Sequence, residues 1–285
     1  MSGLRTGGAV DEAGRMARGA ARDAAPWVER LARAGYAAKG IVYVVVGGIA
    51  AQAALGRRSD VQDSRGAFSE IIRHPGGKFL LGIIAVGLVG YAVWRFVQAA
   101  LDPEGKGDAK SYAKRVGYAG SGIIHAGLAL SAARVALGSS GGGGGAGAQS
   151  YTARLMDAPG GRFLVAAVAL GLAAYGIYQL FKAYRTKLGK RLDLSSVSAG
   201  TREWIVRAGR AGLAARGVIF TIVGFFLIRA ALQRDPGEAR GLEGALEAVR
   251  AQSYGPLLLG LMALGLIGYG VLEMVNARYR RIQPA

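Results

Sequence analysis

Cysteine is absent from the chain, histidine occurs only twice, and only 19% of the residues are charged. Without cysteine there can be no disulfides, no thiolate metal ligands and no cysteine nucleophile. Two histidines without an H-E-x-x-H motif do not form a zinc site by themselves, and no spacing groups serine, histidine and aspartate as a triad. We therefore expect no enzyme activity, no metal and no cofactor.

Hydrophobic residues make up 52% of the chain, 47 residues are glycine, and the net charge is +18. In a soluble protein such a charge would point to nucleic acid. Here the basic residues fall between long apolar runs, as in membrane proteins, whose helices also tolerate glycine at close contacts. Nucleic acid is therefore not the expected partner.

Six apolar runs are each about 20 residues long, enough to cross a hydrocarbon core of about 30 Å as a helix. A backbone inside the bilayer must satisfy its own hydrogen bonds, which favours helices throughout. The predicted fold is an all-α membrane protein with six transmembrane helices. The runs span residues 36–55, 79–100, 117–137, 163–183, 212–232 and 256–275.

Two motifs occur three times in the same order. The first reads R-A-G-Y-A-A-K-G-I-V at Arg33–Val42 and returns at Arg115–Ile124 and Arg210–Ile219. The second, G-L-x-x-Y, follows at Gly87–Tyr91, Gly171–Tyr175 and Gly265–Tyr269. The first motif's last glycine and the second motif's glycine are 47 to 49 residues apart in each copy. The regular order predicts three tandem copies of a two-helix hairpin.

These repeated motifs resemble the bacterial membrane family DUF1206, a domain of unknown function, over about residues 30–280. The resemblance implies repeated pairs of transmembrane helices and assigns no activity. We divide the chain into an N-terminal segment, 1–32, and repeats at 33–102, 115–185 and 210–280. Because each repeat crosses the membrane twice, the repeats are parallel, and we expect a pseudo-threefold axis along the membrane normal.

Lysine and arginine are distributed unevenly between the two sides of the predicted bundle. The segments on the side of the chain termini carry 21 of them, and the three loops on the other side carry 10. The positive-inside rule then predicts cytoplasmic termini. Together with the resemblance, this favours a multi-pass protein of a bacterial plasma membrane.

Polar residues recur at equivalent positions inside the predicted spans. Lys39, Ser121 and Arg216 share one position. Charges at such depth are costly unless they are paired, hydrated or able to reach the interface. One interpretation is a polar ring that attracts an anion or lipid headgroup, with Glu273 as gate or counter-ion. The other is structural, with Glu273 paired to Arg216 or Arg95 while Lys39 reaches toward lipid phosphate. The candidate cluster comprises Lys39, Arg95, Gln179, Arg216 and Glu273.

Other repeated residues favour packing. The tyrosines of the second motif, Tyr91, Tyr175 and Tyr269, are expected between helices with their hydroxyls bonded, and the glycines of both motifs are expected at close helix contacts. His125, in mid-helix, is expected to make an interhelical hydrogen bond, with a proton-linked role as the alternative.

Outside the spans, short helices are predicted at Gly66–Arg73, Thr152–Met156 and Leu242–Arg250, and a surface helix at Ala24–Ala34. Gly138–Ala148 is predicted to be a flexible linker. A P-G-G-[KR]-F turn precedes two of the second helices, at Pro75–Phe79 and Pro159–Phe163, and weakens to Ser253–Leu257 in the third repeat.

Three functions remain open. The first is a non-enzymatic membrane component that interacts with anionic lipids or with another membrane protein. The second is a channel or carrier for a small, anionic solute. The third, a lipid-modifying membrane enzyme, would need a cluster that Glu273 alone does not provide.

Overall fold

The computed structural model describes residues 5–101, 109–139, 144–185, 192–195 and 197–280. Apart from one isolated bridge between Leu192 and Arg280, the regular structure in these residues is helical. The helices are α1 (Arg5–Ala54), α2 (Ser64–Ile72), α3 (Gly77–Leu101), α4 (Ala109–Ala136), α5 (Gly144–Met156), α6 (Gly161–Arg185), α7 (Ala199–Gln233), α8 (Leu242–Arg250) and α9 (Gly255–Tyr279).

Six of these helices are long and apolar enough to cross a membrane, which confirms the predicted spans. Each predicted repeat contributes two of them: α1 and α3, then α4 and α6, then α7 and α9. We call the side of the bundle on which α1 begins and α9 ends the terminal side, and the opposite side the hairpin side. The stretches within helices that meet the criteria are Pro26–Ala54, Gly77–Ala100, Ser111–Ala136, Gly161–Arg185, Ala199–Gln233 and Gly255–Tyr279.

The short helices α2, α5 and α8 lie on the hairpin side, where each connects the two long helices of one repeat. They contact one another in the order α2, α5, α8 and so cover this end of the bundle. Asp63 caps α2 by accepting hydrogen bonds from the backbone of Arg65 and Gly66. The three predicted short helices are therefore confirmed.

The turn before each second helix depends on glycine. Gly76 and Gly160 have φ values of 75° and 73°, a conformation that side chains with a Cβ disfavour. The next residue is glycine in all three repeats, because a Cβ there would collide with a carbonyl oxygen of the preceding short helix. In the third repeat Tyr254 takes the first position with φ of −107°, so only the second glycine is retained.

Two predictions about the connecting segments are wrong. Ala24–Ala34 is not a separate surface helix but part of α1, which runs unbroken through Pro26. Pro26 is the helix-breaking residue of this segment, and residues 27–34 contain no glycine or proline that would end the helix before the first motif. The glycine-rich segment Gly138–Ala148 is only partly a linker, because α5 begins at Gly144. Residues 140–143 lie outside the described part of the chain.

Helices of consecutive repeats pack against each other in an equivalent way. The second helix of each repeat contacts the first helix of the next: α3 with α4, α6 with α7, and α9 with α1. Glycines allow close approach at two of these boundaries, where Gly40 meets Gly270 and Gly176 meets Gly217. Aromatic pairs mark all three boundaries, with ring centroids 4.8, 4.5 and 5.6 Å apart in Tyr43–Tyr269, Tyr91–His125 and Tyr175–Phe220.

The packing between the two long helices of a repeat differs among the three copies. In repeat one α1 packs on α3, and in repeat three α7 packs on α9. In the described residues of repeat two, α4 and α6 do not pack against each other. The long helices therefore form an open ring in the order α4, α3, α1, α9, α7, α6. Full pseudo-threefold symmetry stays a prediction.

Candidate functional site

A buried ion pair joins the first and last membrane-spanning helices. Lys39 Nζ of α1 lies 2.7 Å from Glu273 Oε1 of α9, and the two side chains are only 3% and 5% exposed. The structural interpretation of the sequence assigned Glu273 to Arg216 or Arg95 and left Lys39 reaching for lipid. The structure instead pairs Glu273 with Lys39, because α1 and α9 are direct neighbours in the bundle.

Two of the repeated tyrosines extend this pair into a network. Lys39 Nζ donates hydrogen bonds to the hydroxyls of Tyr269, at 2.8 Å, and Tyr91, at 3.2 Å. Arg95 Nε donates to the same Tyr91 hydroxyl at 2.9 Å. Arg216 Nη1 donates to the Tyr269 hydroxyl at 2.7 Å. The tyrosine hydroxyls thus connect three cations that come from three different helices.

The repeated motif predicts these tyrosines between helices with their hydroxyls hydrogen-bonded, but it does not identify the three cations as the partners. A signal was available in the spacing. Tyr91 precedes Arg95 by four residues and Tyr269 precedes Glu273 by four, which is about one helical turn. A tyrosine hydroxyl one turn before an arginine can accept a hydrogen bond from that arginine, as Tyr91 does from Arg95. A hydroxyl one turn before a carboxylate can accept from the cation that the carboxylate attracts, as Tyr269 does from Lys39.

The network contains more positive than negative charge. It holds the side chains of Lys39, Arg95 and Arg216 against the single carboxylate of Glu273. Within the described residues, neither arginine forms an ion pair with a carboxylate.

Neutral groups complete the polar surroundings of the network. Arg95 Nη1 donates to Gln98 Oε1 at 2.9 Å, and Asn276 Nδ2 donates to Glu273 Oε2 at 3.2 Å. These amides add hydrogen bonds but no negative charge, so two of the three cations have no carboxylate partner among the described residues.

Arg216 is the least satisfied of the three cations. Its Nε is buried and has no hydrogen-bond partner among the residues that the structure describes. The guanidinium lies over aromatic rings, 4.5 Å from the ring centroid of Phe220 and 4.8 Å from that of Tyr269. Such cation–π contacts stabilise a desolvated cation by about 2 kcal/mol, but they leave the buried Nε–H without a hydrogen-bond acceptor among these residues. An anion beside Arg216 would remove this deficit.

The remaining candidates lie in repeat two. Gln179 is buried, but no contact in the described residues joins it to the ion pair. His125 Nδ1 donates to the backbone carbonyl of Ser121 in its own helix at 2.7 Å. Its contact with another helix is the stacking of its ring on Tyr91, so the predicted interhelical hydrogen bond is not the one observed. Among the described candidates of repeat two, His125 therefore reaches the network through its ring contact with Tyr91, and Gln179 does not reach it.

In the described residues, no three histidine, cysteine, aspartate or glutamate side chains are grouped so that they could hold a metal ion. What the arrangement can do chemically is hold an anion. Three cations, two tyrosine hydroxyls and one carboxylate lie within the candidate spans, where water is scarce and electrostatic attraction is strong.

Fold and site together define a polytopic membrane protein built from three two-helix repeats around a cationic cluster. The family model described as Domain of Unknown Function (DUF1206) matches residues 34–102, 116–186 and 211–280. The chain belongs to this family, as its repeated motifs indicated. A protein of Bacillus subtilis (strain 168), named Uncharacterized protein YxxB, is 34% identical over 258 residues, which cover 90% of this chain and 93% of the relative. No solved structure matches the chain.

Proposed function

We propose that this protein is a non-enzymatic, lipid-binding component of a bacterial plasma membrane, with both termini in the cytoplasm. It binds the phosphate of an anionic lipid through Arg95 and Arg216. The observation that carries the proposal is the charge balance of the cluster, in which three cations face one carboxylate inside the candidate spans. An anionic headgroup supplies the missing negative charge.

The chemistry of the two arginines suits a phosphate. Guanidinium groups bind phosphate oxygens through paired hydrogen bonds and are more weakly hydrated than an ammonium, so they are favoured at partly buried anion sites. Arg95 and Arg216 both remain partly exposed, whereas Lys39 is enclosed with Glu273. The lysine thus belongs to the permanent ion pair, and the arginines are the groups available to a ligand.

The position of the cluster supports contact with cytoplasmic-leaflet lipid. Arg95 and Glu273 lie near the ends of α3 and α9 that face the terminal side. This is the side to which sequence analysis assigned 21 lysines and arginines. A cytoplasmic terminal side would bring the cluster toward the leaflet whose anionic lipids attract such residues.

Lipid retention by purified protein tests this proposal. Native mass spectrometry would compare phosphatidylglycerol with phosphatidylcholine on the wild type, on Arg216→Gln and on Arg207→Gln. Arg207 is the matched control, since it lies on the same helix but is exposed and paired with Glu203. At about 1 kcal/mol per charge, Arg216→Gln should weaken phosphatidylglycerol binding about fivefold. Equal retention by both variants would overturn the proposal.

A carrier for a small anion is the second candidate. It is favoured by the burial of the cluster between helices, because a site that only recruits lipid could lie at the membrane surface. Chloride and phosphate flux into proteoliposomes would be compared with that into protein-free liposomes. Flux that is no faster with protein would exclude the carrier function for these ions without affecting the lipid proposal.

A further inference from the structure

The helix interface inside repeats one and three is built from the same few residues. In repeat one, Gly35 lies against the backbone of Tyr91, and Ala38 lies against Gly87. In repeat three, Gly212 lies against Tyr269 and Ala215 against Gly265. A Cβ on any of these four glycines would come closer to its neighbour than side chains tolerate. The residues are therefore specific for close packing of the two helices of one hairpin.

Repeat two has the same residue types at these positions but not the contact. Gly117, Gly120 and Gly171 correspond to Gly35, Ala38 and Gly87, and a Cβ on any of the three would meet no atom within 4 Å. Tyr175 is 42% exposed, whereas its equivalents Tyr91 and Tyr269 are 0% and 3% exposed. Repeat two thus contains both halves of a helix interface, and they are apart. One position differs, because Ala174 stands where an added Cβ on Gly90 or Gly268 would lie 2.7 or 2.8 Å from a backbone oxygen.

The two unpacked helices are the ends of the open ring. On one side α4 is held by α3, and on the other α6 is held by α7. The Tyr175 ring also contacts Phe220 of α7, with centroids 5.6 Å apart, as Tyr91 and Tyr269 contact the neighbouring repeat in the packed hairpins. In the described part of the chain, the glycines of the motif faces meet no other helix, so they are available to each other. Repeats one and three show which surface fits each of these faces, because there the equivalent residues of the two long helices pack against each other.

We infer that α4 and α6 form a lateral gate, which closes when Gly117 and Gly120 of α4 pack against Tyr175 and Gly171 of α6. The structure shows the open state. The gate opens beside the cationic cluster, because the guanidinium of Arg216 lies 6.0 Å from the ring centroid of the exposed Tyr175. Its role as the entry route for a lipid headgroup rests on the proposed function, whereas the two-state movement does not.

The natural absence of cysteine makes the movement directly measurable. Ala113 and Ala174 of repeat two are exposed alanines. They correspond to Leu31 and Gly90, where an added Cβ at position 90 would lie 2.7 Å from Leu31 O and 3.3 Å from Leu31 Cα. The closed helices of repeat two must therefore stand slightly further apart at Ala174. In a slightly wider closed hairpin the two Cβ atoms would come near the separation of about 3.5–4.5 Å that a disulfide needs. The double variant Ala113→Cys/Ala174→Cys would be oxidised in nanodiscs with copper phenanthroline, with each single variant as control.

A disulfide within one chain, seen as the loss of two hydrogens by intact-mass analysis, is the expected result. Cross-links that form only between chains would overturn the gate and show instead that a second copy covers these faces. Because a cysteine pair can fail to react for local reasons, spin labels at Ile124 and Ile177, both exposed, provide a second measurement. The gate predicts two distance populations, and a single long distance in every lipid composition would refute it.

The outcomes separate this inference from the lipid proposal. Cross-linking in a protein whose phosphatidylglycerol binding does not respond to Arg216→Gln would leave the gate standing and remove the lipid site. If the protein binds phosphatidylglycerol through Arg216 but shows neither the cross-link nor a short distance population, the lipid proposal stands and the gate is refuted.

Discussion

Gly35, Gly117 and Gly212 occupy the same position in three copies of one motif, but their surroundings in the structure differ. Gly35 and Gly212 lie against tyrosine backbones, whereas Gly117 faces open space. The charged residues follow the same division, since Lys39, Arg95, Arg216 and Glu273 come from repeats one and three and repeat two offers Ser121 and Gln179. The comparison teaches that repeats one and three fix the cluster, and that, in the described residues, the two long helices of repeat two pack on their neighbouring repeats instead of on each other.

The largest expected effect is on the ion pair that joins repeats one and three. Glu273→Gln leaves Lys39 buried without a counter-ion, which should lower the free energy of unfolding by about 3–5 kcal/mol. Denaturant titration in detergent micelles would measure the loss. The equivalent change in repeat two, Gln179→Leu, removes no charge and should cost much less.

The double variant Lys39→Met/Glu273→Met is the control for this prediction. It removes both charges together and should recover most of the stability, because an apolar pair can replace a buried ion pair. A double variant as unstable as Glu273→Gln would contradict the account of the pair as a mutually compensating unit.

The motif glycines give the most direct comparison between repeats. Gly35→Leu and Gly212→Leu each place a side chain into the backbone of a neighbouring tyrosine and should cost about 1–3 kcal/mol through overpacking. Gly117→Leu should leave the stability of the open state within about 0.5 kcal/mol of wild type. If Gly117→Leu cost as much as the other two, repeat two would be packed and the comparison would fail.

The difference in packing between repeat two and the other two repeats could not be predicted from the sequence. The apolar runs and the two motifs predicted the spans and the three repeats, because hydrophobic length and internal repetition are local signals. The motifs also pointed to the four charged residues that the structure brings together, but not to the absence of Gln179 from their network. The pairing of Lys39 with Glu273 depends on which helices are neighbours across the whole chain. Gly117 and Gly35 stand in nearly the same motif, so nothing local shows that only one of them is packed.

The tyrosine hydroxyls offer a smaller test. Tyr269→Phe removes the acceptor for Lys39 and Arg216, and hydrogen bonds to charged groups contribute about 1.5–3 kcal/mol. In the described part of the chain no side chain donates to the hydroxyl of Tyr175, so Tyr175→Phe should change thermal stability little. Equal losses in the two variants would show that repeat two shares the network.

The smallest expected effect is in the short helices on the hairpin side. Partial burial, with Asp63 and Glu247 nearby, raises the pKa of Glu243, so the folded state disfavours its carboxylate. Glu243→Gln should therefore be slightly more stable than wild type at pH 7. The difference should vanish as the pH falls below the ordinary value of 4.5, where the carboxyl is protonated in both states.

Asp60 provides the opposite case in repeat one. The hydrogen bond from Gln62, followed by Arg58, lowers the pKa of Asp60, so its carboxylate stabilises the folded state above its ordinary value of 3.8. Asp60→Asn should lose stability at neutral pH and lose progressively less as the pH falls through that range. Thermal unfolding across pH would reveal both signs, and shifts of the same sign would contradict the assignment.

The central claim is that a cationic cluster fixed by repeats one and three receives an anionic headgroup beside the opening in repeat two. An experimental structure in nanodiscs that contain phosphatidylglycerol tests it most directly. The account predicts phosphate-sized density within hydrogen-bonding distance of Arg95 and Arg216, in particles whose α4 and α6 are apart near Tyr175. It would be contradicted if α4 packed on α6 in every particle class and no density lay beside either arginine.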